Sequence, residues 1–329
     1  MEIAKALILA GRVRGDSPRV ASLGPGHLFP VANRPILLHN LEGLRAAGVL
    51  EATILADHDE FVTIRRTLAA GSELGVRVRY EEWDPGAGIA GALDAGRDFL
   101  ADEPVLVQNA AALLRDRMHG HITAFAREQL DALALRLAHP DSRRARGDTP
   151  GYLLSPRAVA ILLAGGSPTA NPVTSVRAGG GRVRIARVEG CLPSDGDHAQ
   201  LLESNRRALE KLEASVDHGS LEECSIQGPV VVHPSARVSR ALLRGPAIIG
   251  PGARITDAYI GPYTSIGADV VIDGAEIEYS IVLPEAELRH IGTRLESSVI
   301  GRRARIARGF GLPGAIRVAV GDGAEVILR

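Results

Sequence analysis

The sequence predicts an α/β domain built on a mostly parallel, Rossmann-like sheet, followed by a solenoid of short β-strands. Three observations carry this expectation. Aliphatic residues recur at a period of 17 through the last third of the chain. Strand-like apolar runs alternate with amphipathic helical segments through the first part of it. Aromatic residues make up only 3% of the 329 residues, so small aliphatic side chains must build the core. A chain of this length is comfortable for two domains. The pattern changes near residue 220, which divides the chain into 1–219 and 220–329.

The α/β elements follow in order. Ala6–Ala10 is a buried strand. Pro35–Ala47 reads as a helix, because Ile36, Leu37, Asn40, Leu41 and Leu44 fall on adjacent turns and Gly48 ends it. Ala52–Ala56 is a second strand, Asp59–Ala70 a helix and Val76–Glu81 a third strand. Ile89–Phe99 is a helix and Pro104–Gln108 a fourth strand. Strands separated by crossover helices imply a mostly parallel sheet. Ligands of such sheets bind at the C-terminal strand ends. The loops after Ala10, Glu81 and Gln108 are therefore expected to share one crevice.

The solenoid is read from spacing. Aliphatic residues stand at Ile226, Val232 and Val238, then at Leu243, Ile249 and Ile255, then at Ile260, Ile266 and Ile272, and then at Ile277 and Leu283. After a disturbed stretch around Pro284 to Thr293 the pattern returns at Leu295, Ile300 and Ile306. Aliphatic steps of this length suit neither a helix nor an amphipathic strand. They suit a coil with three flat faces, each pointing one side chain inward, with IGPGAR and IGPYTS supplying the tight corners. Each coil buries its faces only by stacking on the next. The spacing resembles the hexapeptide-repeat family, whose fold is a left-handed parallel β-helix.

Composition excludes some function classes. Charged residues are 23% and the formal net charge is −1, so neither nucleic acid nor an anionic membrane is expected as partner. Cys191 and Cys224 have no metal-like spacing and read as ordinary thiols. The apolar run Ala6–Ala10 is too short for a leader or a membrane span. A cytoplasmic protein is expected.

Three segments carry a resemblance of wider reach. LILAG…HLFPVANRPILLHNLEGLRAAGV resembles the opening of the nucleoside-diphosphate-sugar pyrophosphorylases, and DPGAGIAGALDAGRDFL resembles their second nucleotide loop. CLPSDGDHAQLLESNRRALEKL resembles the segment that joins their catalytic domain to a β-helix. The likeness is greatest to the long form of glucose-1-phosphate thymidylyltransferase, which carries such a β-helix. It implies a nucleotide over the first loop and metal-assisted attack of a sugar phosphate on the α-phosphate.

That reaction needs a glycine-rich loop for the phosphates, cations for the growing charge on phosphorus and carboxylates for magnesium. The resemblance implies that Gly11 and Gly88 keep the nucleotide-binding backbone. It also places substitutions at the reacting groups. The arginine position holds Asp16 and the lysine position holds Gly26. The first metal carboxylate position holds Asn109 and the second holds Ser194. The family's E-K-P strand, which grips the sugar, has no counterpart between Asp131 and Tyr152. That stretch holds His139, Asp141 and Asp148, which read as solvated charges. Arg12, Arg14, Arg19, His27 and Asp195 are the available substitutes. Trp83 stands where the family has a base-reading glutamine and is expected to plug the pocket rather than stack on a base.

No catalytic residue and no metal ligand are therefore assigned, and no cofactor is expected, with Mg2+ only if activity is retained. The leading expectation is a degenerate relative of the family that serves a binding, regulatory or assembly role. It would be a homo-oligomer through its β-helix, with a protein partner or a nucleotide or sugar-phosphate ligand. One alternative is an active transferase using the Arg12–Arg19 loop and Asp195. Another is a β-helix acyltransferase using His290 as base, with His233 a solvated corner residue.

Overall fold

A computed structural model describes residues 3–11, 26–69, 75–114, 118–138, 149–165, 171–192, 198–213 and 220–308. The first domain is a seven-stranded sheet flanked by helices. Its elements are β1 (Lys5–Ala10), α1 (Ile36–Ala46), β2 (Glu51–Ala56), α2 (His58–Ala69), β3 (Arg77–Glu82), α3 (Gly88–Ala95), α4 (Arg97–Leu100) and β4 (Val105–Asn109). They continue with α5 (Met118–Arg127), β5 (Ala132–Leu137), β6 (Gly151–Leu154), α6 (Pro156–Gly165), α7 (Pro172–Ala178), β7 (Val183–Val188) and α8 (His198–Leu209). The strand order is β7-β5-β6-β4-β1-β2-β3. All neighbours are parallel except β6, which runs antiparallel to β4 and to β5.

Alternating apolar residues explain the layers. Ala6, Ile8 and Ala10 of β1 pack with Leu37, Leu41 and Leu44 of α1 on one face of the sheet. Leu7 packs with Ala92, Leu93 and Phe99 on the other. The single helix expected over 89–99 is two, separated by Gly96. A Cβ on Gly96 would lie 2.8 Å from Leu7 Cδ2, so the helix pair sits closer to β1 than a side chain there allows.

From Ser220 to Ala307 the chain winds as a parallel β-helix. Each inward column is a ladder of aliphatics. The first is Leu221, Val238, Ile255, Ile272, Leu288 and Ile306. The second is Ile226, Leu243, Ile260, Ile277 and Leu295. The third is Val232, Ile249, Ile266, Val282 and Ile300.

Leu283 does not occupy the column in which the 17-residue period places it. Val282 pairs with Ile266 and points inward, and Leu283 packs against the first domain instead. The coil is one residue short here, and Leu288 follows in register with Ile272. The stretch from Pro284 is correspondingly less disturbed than its spacing suggests. Glu287–Arg289 is a regular strand, and the extra residues lie between Leu288 and Leu295.

The two domains share a core. Helix α8 lies on the outer side of the third column, where Leu201 and Leu202 join Phe29, Val31 and Ile36 from the first domain and Ile281 and Leu283 from the β-helix. Asn205 sits on the same stripe of α8 as Leu201 and Leu209 and is fully buried. Its Oδ1 accepts the Ala32 N–H at 2.8 Å and the Ser265 hydroxyl at 2.6 Å, and its Nδ2 donates to the Tyr263 carbonyl at 3.1 Å. Asn33 adds a donation to the Ile266 carbonyl at 2.6 Å. No helix among the described residues is long and apolar enough to cross a membrane.

Candidate functional site

The strand order reverses at β1, whose neighbours β2 and β4 are reached by connections that run in opposite directions. The carboxyl ends of β1, β2, β3 and β4 therefore open on one crevice. Contacts bear this out for the loops after Ala10 and Glu81: a Cβ on Gly11 would lie 2.4 Å from Pro85 Cγ and 3.2 Å from Trp83 Cζ3. Only glycine fits there. The loop after Gln108 joins them, since Ala110 N–H donates to the Leu9 carbonyl at 2.9 Å.

The DPGAG segment folds for local reasons. The Asp84 side chain accepts the Gly86 N–H at 2.8 Å, and Pro85 opens a short 3-10 turn through Ala87. Gly88 then takes a left-handed φ of +61°, which turns the chain into α3. The helix starts without a side-chain cap.

Asn109 ends β4. Its Oδ1 accepts the Ala111 N–H at 2.8 Å, and its own N–H donates to the Pro150 carbonyl. Buried Asn40 of α1 donates to the Ala110 carbonyl at 2.7 Å and fixes the same turn. Sequence reasoning placed Asn40 on a helix face and gave it no such role. Its signal was an amide on an otherwise apolar stripe.

The cleft beside these elements has a volume of about 510 Å3 and is lined by Asp57, His58, Glu82, Trp83, Asp84, Pro85 and Gly86. His58 Nδ1 meets Glu82 Oε1 at 2.9 Å, and that hydrogen bond raises the imidazole pKa. Asp57, Glu82 and Asp84 make the described rim acidic, which opposes a polyphosphate. The indole of Trp83 lies between Gly11 and Gly91, with Cζ3 toward the first and Nε1 toward the second.

Gly26 begins a short 3-10 turn that runs to Leu28. His27 follows and is buried, with Nε2 3.6 Å from Glu60 Oε2 on α2. Arg12, Arg14, Asp16, Arg19, His139, Asp141, Asp148, Ser194 and Asp195 lie outside the described residues. His290 is at a corner of the β-helix with a φ of +50°, its backbone N–H bonded to the Asp273 carbonyl at 2.7 Å. Its ring is largely exposed and 3.8 Å from Asp273 Oδ2. His233 hydrogen-bonds to Ser235 within its own corner.

Family resemblance implies magnesium, and of the two positions it gives to the metal carboxylates the structure describes Asn109. The Asn109 carbonyl oxygen is already engaged by the chain's own amide. Among the described residues no group of three or more His, Cys, Asp or Glu is placed to hold a metal ion.

Comparison with known proteins adds the following. The nucleotidyl transferase family profile matches residues 5–146. A glucose-1-phosphate thymidylyltransferase of Streptomyces antibioticus is 29% identical over 99% of this chain and 99% of its own length. A low-salt glycan biosynthesis nucleotidyltransferase of Haloferax volcanii is 28% identical over 98% of this chain and 100% of its own length. A crystal structure assigned to glucose-1-phosphate thymidylyltransferase of Bacillus anthracis superposes with a TM-score of 0.52 at 19% identity, covering 61% of this chain and 93% of that one. At that identity the superposition speaks for the fold alone.

Proposed function

We propose, from the premise that this chain belongs to the sugar nucleotidyltransferase family and is glucose-1-phosphate thymidylyltransferase-like, that it has lost pyrophosphorylase chemistry and serves as a binding, regulatory or assembly component. The observation that carries this reading is Asn109. At the position that resemblance gives to the first metal carboxylate stands a neutral amide whose oxygen is held by Ala111 N–H. A magnesium ion there would meet a carbonyl dipole in place of a charged carboxylate. Asp16 and Gly26, at the positions of the two cations, and the acidic cleft rim of Asp57, Glu82 and Asp84 point the same way.

The β-helix is the surface for association in this reading. Among the described residues the strands of its first coil, Ser220–Val232, pair on one side only, and strand edges invite pairing or capping. A second copy of the chain is the partner proposed. The chemistry is tested by incubating the protein with glucose 1-phosphate, each nucleoside triphosphate and Mg2+ and measuring pyrophosphate. No release above a protein-free control is expected, and turnover of one per second or faster, the range of working enzymes, overturns the reading. Light scattering at micromolar concentration tests association. A clean 34.7 kDa monomer counts against it.

A further inference from the structure

Charges on the β-helix are stacked against their opposites from coil to coil. Arg240 bonds Asp257 of the next coil, with Nε 2.7 Å from Oδ1. Asp273 stands in register with Arg289, 3.9 Å from its Nη1, and Glu287 stands in register with Arg305, 3.1 Å from its Nη2. Opposite charges on facing positions stabilise neighbouring strands, and like charges destabilise them.

Arg237 and Arg254 depart from that rule. They are register partners on consecutive coils and both are exposed. Among the described residues neither has an ion-pair or side-chain hydrogen-bond partner. Their row continues into uncharged residues, Ser220 on one side and Val271 on the other. The acidic register pair Glu278 and Glu296 differs, because Arg294 stands 3.4 Å from Glu278 as a counter-charge.

Two hydroxyls complete the patch. Val238 and Ile255 point into the coil, so the residues on either side of each face outward: Arg237 with Ser239, and Arg254 with Thr256. Ser239 Oγ and Thr256 Oγ1 are 3.3 Å apart and hydrogen-bond between coils. Consecutive coils lie roughly 5 Å apart and alternate residues of a strand roughly 7 Å apart. Four donor-bearing side chains therefore mark the corners of a tile about one oxyanion wide. Guanidinium forks match phosphate oxygens in pairs, and hydroxyls donate to those left over. Glu222 lies in register with Ser239 on the coil before, and Asp273 with Thr256 on the coil after. A polyanion running along the coils would meet these carboxylates, whereas a single compact dianion fits between them.

We propose that Arg237, Arg254, Ser239 and Thr256 form a binding site for the dianionic group of a small phosphate monoester. The bound group supplies the counter-charge that the arginine pair lacks. The site lies wholly on the β-helix and is independent of any chemistry in the crevice of the first domain.

The full chain is titrated at about pH 8, where a phosphate monoester carries close to two charges. The probes are inorganic phosphate and glycerol 3-phosphate, at constant ionic strength in chloride. Calorimetry is expected to show saturable binding by the parent, weakened at least fivefold, about 1 kcal/mol, in Arg237→Gln and in Arg254→Gln. Arg302→Gln, which removes an exposed arginine elsewhere on the β-helix, is expected to bind as the parent does. Absence of saturable binding by the parent overturns the proposal. Equal binding by the parent and all three variants also overturns it, since the phosphate then sits elsewhere. An oligothymidylate that binds more tightly than phosphate, and is lost in the same variants, would make the patch a polyanion surface instead. Melting temperatures give a second readout. In low-salt chloride buffer Arg237→Gln is expected to melt at or above the parent, because a like-charge contact is relieved. With phosphate added, the parent is expected to melt above the variant. A variant that melts below the parent by the same margin in both buffers would make Arg237 a structural residue and no part of a site.

Discussion

Asn205 holds Ser265 across the seam between the two domains: the Ser265 hydroxyl donates to Asn205 Oδ1 at 2.6 Å, and both side chains are fully buried. The same oxygen takes the Ala32 N–H, at the turn that follows the Gly26–Leu28 segment. One amide therefore ties the first domain's crevice-side turn, helix α8 and a β-helix coil together. Asn205→Ala leaves the Ala32 N–H, the Ser265 hydroxyl and the Tyr263 carbonyl without this partner. A loss of about 2–4 kcal/mol is expected, since buried groups left unsatisfied cost about 1–3 kcal/mol each and the sites relax in part. Urea unfolding followed by circular dichroism measures it. A change below about 0.5 kcal/mol, as at an ordinary surface position, would show that water replaces the amide.

Position 205 shows how much a sequence reading reaches. The i, i+4 spacing of Leu201, Asn205 and Leu209 was present in the sequence, and a polar residue on an apolar stripe is a signal of a buried hydrogen-bond hub. What the spacing withheld was the partner, because Ser265 lies 60 residues away. The β-helix was legible for the opposite reason. Its inward residues repeat locally, so the period needs no knowledge of distant contacts. The misplacement at Leu283 has the same origin. Val282 and Leu283 are both aliphatic and both buried, one by the coil and the other by Phe29 and Leu201. Composition does not say which partner buries which. The crevice of the first domain was legible from strand and loop order, whereas the direction of the Asn109 side chain was not.

His39 gives a pH prediction. It lies on α1 with Nε2 3.0 Å from the Val31 carbonyl, and burial lowers its pKa, opposed in part by that bond. Arg34 and Lys211 lower it further, and Glu42 raises it. The unfolded chain thus takes up a proton more readily than the folded one. His39 contributes stability that is full above the ordinary histidine value of about 6.5 and is lost as pH falls toward the folded value. Denaturant midpoints measured from pH 7.5 downward are expected to drop below about pH 6.5. His39→Gln keeps a donor for Val31 and is expected to shrink that drop. An unchanged profile in the variant would place the acid-sensitive group elsewhere.

Nucleoside triphosphate binding is expected to be weak and insensitive to magnesium. The cause is Asn109, neutral and engaged with Ala111 N–H, together with Ser194 at the second carboxylate position. Magnesium sites built with phosphates use one or two carboxylates to offset the ion's dehydration. Calorimetric titrations with and without Mg2+ are expected to agree within a factor of two or so, about 0.4 kcal/mol. A large gain with the metal would mean that the metal-binding oxygens come from elsewhere in the chain.

Restoring the two cations separates binding from catalysis. Asp16→Arg changes the local charge by two units and Gly26→Lys by a third. Gly26 opens a short 3-10 turn. At roughly 5 Å in a partly solvated cleft each unit contributes on the order of 1–3 kcal/mol. Inorganic triphosphate is the cleaner probe, because it carries no base or sugar and reads the charge alone. Its affinity for the double variant is expected to rise at least tenfold, which corresponds to about 1.4 kcal/mol. Pyrophosphate release from nucleoside triphosphate and glucose 1-phosphate is still expected to be absent. Asn109 remains neutral, and tighter binding of a ground state does not lower the barrier above it. An unchanged affinity would mean that residues 16 and 26 do not face the crevice, and that the correspondence over Gly11–Val31 is wrong. Release of pyrophosphate by the double variant would show instead that the two cations were all that the chemistry lacked, and Asn109 would no longer account for its loss.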